Sequence, residues 1–66
     1  MTTIASVDDV RVGMSVRPKG GRYDWIVTDI SAAGFVSFKR YSDAQGWLFG
    51  FKTSRAIAQG ELRTYA

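Results

Sequence analysis

The chain has no cysteine, no histidine and a single proline, Pro18, in 66 residues. Without cysteine no disulfide can form, and without either residue the usual zinc ligands are missing. The lack of histidine removes the commonest general base, and the lack of cysteine removes a common nucleophile. No G-x-S-x-G elbow occurs, and Gly20-Gly21 lacks the Gly-Lys-Ser/Thr ending of a P-loop. The carboxylates are scattered, and the pair Asp8-Asp9 suits the acidic first turn of a short helix. These absences point away from an enzyme and from any cofactor. Long apolar runs are lacking too. Asp8, Asp9, Arg11, Arg17 and Lys19 interrupt residues 1–20, so neither a signal peptide nor a membrane span is expected there. The lack of cysteine fits a cytoplasmic protein.

What remains is a short chain that must fold by packing alone. A domain of about 60 residues buries only roughly 60% of its unfolded surface. Ordering it costs roughly 1.5 kcal/mol per residue, so nearly every large apolar side chain is needed inside. One domain over residues 1–66 is expected. Nine basic residues against six acidic ones give a net charge of +3. That excess leans towards polyanions, although solubility alone accounts for similar imbalances.

The patterning is that of short strands. Met1–Ala5 reads as a loose arm, and "SVDD" as a short helical turn capped by Ser6. Val10, Val12, Met14 and Val16 alternate with Arg11, Gly13, Ser15 and Arg17, which predicts a half-buried first strand over "VRVGMSVRP". "PKGGRY" reads as an exposed turn, "YDWIVTDI" as the second strand and "SAAG" as a tight connection. "FVSFKRY" is the third strand, "SDAQG" a turn and "WLFGFK" the fourth strand. "SRAIAQG" suits one helical turn ending at Gly60, and "ELRTYA" closes as a fifth strand. Five strands, with one helical turn before the last, predict an all-β small barrel.

The stretch "VRVGMSVRPKGGRYDWIVTDISAAGFVSFK" resembles the opening of SH3-like barrels of the KOW and Tudor-like kind. The resemblance covers about two thirds of the chain and implies a five-stranded SH3-like barrel, a fold shared by many functions. The segments "DDVRVGM" and "IVTDISAAGFVSF" also look similar to the S1 type of OB-fold. There the first strand runs on as one long bent strand, whereas "PKGGRYD" interrupts it here, so the OB-fold ranks second. The opening is also comparable to type II dihydrofolate reductases. Their Val-Gln-Ile-Tyr signature is replaced here by Trp47-Leu48-Phe49-Gly50, which removes the case for that activity.

Two groups of side chains invite a functional reading. Trp47, Phe49 and Phe51 share one face of the fourth strand, either as core or as a stacking platform for single-stranded nucleic acid. The folding requirement of so short a chain assigns them to the core, with room for Trp47 to show an edge to solvent. Trp25 is assigned to the core as well. The second group is basic. Arg17, Lys19 and Arg22 surround the Gly20-Gly21 turn, where phosphate could meet both side chains and backbone amides. Lys39 and Arg40 form a second spot, and Lys52 and Arg55 a third. Tyr23 and Tyr41 adjoin these charges, as rim residues or as stacking partners. Asp24 and Asp29 partly neutralise the neighbourhood. The reading is a binding module that contacts nucleic acid through Arg17, Lys19, Arg22, Tyr23, Lys39, Arg40 and Tyr41. The alternative is a protein-interaction module or small inhibitor of the kind mobile elements encode. Self-association, by burying a sheet edge, is a further expectation.

Overall fold

The strands form where β-branched and aromatic residues cluster. In a computed structural model describing residues 1–65, they are β1 (Thr2–Thr3), β2 (Ser15–Pro18), β3 (Trp25–Ile30), β4 (Val36–Ser42), β5 (Gly46–Lys52) and β6 (Leu62–Thr64). A 3₁₀ turn (Val7–Asp9) precedes β2, and helix α1 (Ser54–Ala58) precedes β6. All six strands join one antiparallel sheet in the order β1-β6-β2-β3-β4-β5. The end strands β1 and β5 do not pair with each other, so the sheet curls into an open half-barrel around its core.

The all-β class follows the sequence pattern, but the five-stranded SH3-like barrel is corrected to six strands in an open half-barrel, and two segments differ from their expected form. First, the arm expected to be loose is held. Thr2 and Thr3 pair with β6, and Ile4 donates its N–H to the Leu62 carbonyl at 2.9 Å. Its side chain is buried in the aliphatic core, which ties the arm to the sheet. Second, the expected first strand shrinks to Ser15–Pro18. Val10 is buried but Val12 lies exposed, since a turn over residues 11–14, closed by the Met14 N–H on the Arg11 carbonyl at 3.1 Å, replaces the extended run. The turn still docks on β3: Gly13 donates to the Val27 carbonyl at 2.8 Å, and Val27 donates to that of Met14 at 3.0 Å.

The local signals elsewhere hold. Ser6 accepts the Asp8 N–H at 3.2 Å and caps the 3₁₀ turn. Thr53 accepts the Ala56 N–H at 3.1 Å and caps α1, which stops before Gly60 after five residues. Such a helix has no stability of its own; it persists because Ile57 is wholly buried against the sheet.

The core is mostly aliphatic: Ile4, Val10, Val16, Val27, Val36, Ile57 and Leu62, joined by Phe38. Trp25 packs on it half-buried, its ring 5.2 Å from that of Phe38 in an edge-on arrangement. Each buried aliphatic side chain contributes roughly 1.5–3 kcal/mol. No helix among the described residues is long and apolar enough to cross a membrane.

Candidate functional site

The site begins with a question of parity on β5. Phe38 pairs with Gly50, and paired residues of an antiparallel sheet share a face. Phe38 points into the core, so Gly50 does too, and residues 47, 49 and 51 must point out. Gly50 is fixed by this contact. A Cβ there would sit 2.7 Å from Cε1 of Phe38, whose ring fills the space a side chain would need. The turn before β5 sets the same register. Ser42 pairs with Gly46, which takes the left-handed conformation (φ +76°) that closes a three-residue loop.

The assignment of Trp47, Phe49 and Phe51 to the core is therefore corrected. They are 54%, 75% and 63% exposed, respectively. The register decides this: Gly50 shares the inner face with Phe38, so Trp47, Phe49 and Phe51 pair with Tyr41, Lys39 and Ser37 on the outer one. The reading of Trp25 as core holds in part, since it packs against the core without being fully enclosed.

Around these rings the outer face of the sheet forms a connected surface. Tyr41 pairs with Trp47, Lys39 with Phe49 and Ser37 with Phe51, while Ile26 flanks Lys39 from β3. The Tyr41 and Trp47 rings meet edge-on with centroids 5.4 Å apart. Phe35, from the β3–β4 turn, meets Phe51 likewise at 6.2 Å. The Lys39 ammonium lies 4.5 Å from the centre of the Trp47 ring, a cation–π contact that holds the charge among the aromatics. Phe35, Phe49, Phe51, Thr28 and Ser37 border a shallow groove of about 620 Å³, with an edge of Phe38 at its floor beside Gly50.

The residues singled out from the sequence divide between this face and other places. Lys39 and Tyr41 belong to it. Arg17 lies farther along the same face, cross-strand from Arg63, but it is engaged. Its Nε donates to Asp24 Oδ1 at 2.9 Å, and Nη2 donates to the Tyr65 hydroxyl at 3.2 Å. Tyr65 in turn donates to the other Asp24 oxygen. The Tyr65 hydrogen bond, then Arg17, holds the Asp24 carboxyl below its ordinary value of 3.8, and the same bond raises the Tyr65 phenol above 10.0. Arg40 points to the core side of β4, where its guanidinium stacks 3.9 Å from the centre of the Tyr23 ring. Lys19 and Arg22 are exposed in the loop after β2, apart from the aromatic cluster. Two backbone amides there are already used: Lys19 donates to the Glu61 carbonyl and Gly21 to that of Pro18, both at 2.9 Å. Phe35, Ile26 and Thr28 were not singled out from the sequence. Phe35 opens a strand run, and its alternation with Val36 and Phe38, in step with Ser37 and Lys39, is the signal that could have placed it outward.

The class so defined is an open all-β half-barrel whose outer face carries a row of rings around one lysine. No family model, curated protein or solved structure matches the chain, so the resemblance to small barrels rests on the curled sheet alone.

Proposed function

We propose that the protein is a non-enzymatic binding module whose outer β4–β5 face takes single-stranded nucleic acid. One observation carries this: Trp47, Phe49 and Phe51 stand outward at alternate positions of one strand, with Lys39 among them. Exposed rings in so small a protein forgo burial that folding could use, and a stacking surface is a function that repays it. Bases of any sequence stack on such rings, at roughly 1–3 kcal/mol each. Lys39, and beyond it Arg63, supply positive charge on the same side for the phosphates, whereas the charge of Arg17 is offset by Asp24. Duplex DNA offers no free base faces, so single strands are favoured. The exposed loop cations Lys19 and Arg22 would add affinity through long-range attraction, not through direct stacking.

The test is a titration with single- and double-stranded DNA and RNA at two salt concentrations. Single strands should quench Trp47 fluorescence in a Trp25→Phe background, and binding should weaken as salt rises. Phe49→Ala should lower the affinity by about tenfold, the equivalent of one lost stacking contact of ~1.4 kcal/mol. Absence of binding to every nucleic acid at low salt would overturn the proposal. It would favour a protein partner, to which the almost wholly apolar groove between Phe35, Phe49 and Phe51 is also suited.

A further inference from the structure

We infer that two copies of this chain join through the open edge of β5, antiparallel about a two-fold axis at Phe49. This goes beyond the nucleic-acid reading and does not depend on it, because edge pairing leaves the outer face open.

The two edges of the sheet differ. The β1 edge is two residues long, whereas β5 is paired with β4 on one side only and offers seven residues on the other. Soluble proteins protect long edges with proline, inward charge, lysines or bulges. Between Gly46 and Phe51 there is no proline and no charge, and the register with β4 is unbroken. The terminal Lys52 is turned to Glu61, its Nζ 3.3 Å from Oε1. In a molecule of net charge +3, this edge is a place where two copies meet without repulsion.

The sequence of β5 is also complementary to itself. Continuing the sheet with its faces aligned requires outward residues to pair with outward ones. The register centred on Phe49 satisfies this and uses all seven residues. Phe49 then faces its own copy, and Trp47 faces Phe51 of the second copy, giving three cross-strand aromatic pairs. On the inner side, Leu48 faces the second copy's Gly50, so a large side chain lies beside a position with none. Lys52 faces Gly46, and the two like charges stay at opposite ends. Sliding the register by two residues in either direction leaves only five residues paired. A single strand-to-strand contact falls at the small end of specific interfaces, below about 1,200 Å², so the dimer should form and dissociate with concentration.

The absence of native cysteine makes a clean test. In sedimentation equilibrium, the wild-type protein should shift from monomer towards dimer mass between micromolar and millimolar concentration. Under mild oxidation, Phe49→Cys should form a disulfide-linked dimer, since facing Cα atoms lie about 4.5–5.5 Å apart. Trp47→Cys should not link to itself, because those positions would lie about 14 Å apart. Mixed with Phe51→Cys, it should link. All three positions are exposed, and unchanged thermal midpoints would show that the variants fold. A strictly monomeric wild type up to about 1 mM would overturn the inference. So would self-linking of Trp47→Cys as readily as Phe49→Cys.

Discussion

The two faces of the β4–β5 hairpin are made from different materials. Inward it presents Val36, Phe38, Leu48 and Gly50; outward it presents Ser37, Lys39, Tyr41, Trp47, Phe49 and Phe51. Of the nine aromatic residues in the chain, seven are exposed, and only Phe38 and Trp25 serve the interior. Aliphatic side chains can close a small core because they pack at high density with little shape constraint. Rings are thereby released to the surface. Size and hydrophobicity alone do not say which side a residue takes.

The sharpest way to break this comparison is to truncate one ring on each face. Phe38→Ala should cost about 3–5 kcal/mol, which would unfold much of so small a domain. Phe49→Ala should change stability by no more than about 0.5 kcal/mol, since its ring is mostly in solvent already. Thermal unfolding of both variants gives the answer; similar losses would mean that Phe49 is packed after all. A smaller effect should come from Gly50→Val. Its Cβ would collide with the Phe38 ring, costing about 1–3 kcal/mol through overpacking. Adding Phe38→Leu should recover part of that loss by removing the colliding carbons.

The smallest effect should come from the polar end of the outer face. The folded pKa of Asp24 lies below its unfolded value, so its bonds to Tyr65 and Arg17 stabilise the fold above about pH 4. That contribution is lost as pH falls through the folded value. Tyr65 has the opposite sign: its contribution is present below pH 10 and lost as pH rises through its raised value. Thermal midpoints of Asp24→Asn and wild type should therefore differ slightly near neutrality and converge in acid. Surface exposure keeps the difference small.

Much of the architecture was legible in local sequence signals. The strand runs from Trp25 to Lys52, the Ser6 cap and the helical turn before Gly60 depend on residues within a few positions of one another. Strand β1 was not legible, because Thr2 and Thr3 form too short a run to show a pattern and owe their conformation to β6 at the far end of the chain. The period of two over Val10–Val16 misled at Val12, where a turn put the side chain into solvent. The outward direction of Trp47, Phe49 and Phe51 could have been counted. Ser37 and Lys39 are polar and alternate with Val36 and Phe38, and the short turn at 42–46 pairs them with Phe51 and Phe49. The needs of a small core and this register point opposite ways for the three rings, and the register decides. Arg40 and Arg17 illustrate the opposite limit. Nothing local indicates that one stacks on Tyr23 and the other is held by Asp24 and Tyr65.

The strand order has a consequence for how the molecule reaches this state. Strands β3, β4 and β5 form a meander whose pairings span short stretches of chain. In contrast, β6 inserts between β1 and β2, so its pairings close long loops, nearly the full chain with β1 and about two thirds of it with β2. Closing those loops costs more entropy, and such contacts are expected to form late. The placing of β6 is then expected to come last, with Ile57 and Leu62 buried as it docks. During that search the meander already presents its rings to solvent. An early intermediate would therefore be the species most prone to aggregate, through the same edge strand that the folded protein leaves open.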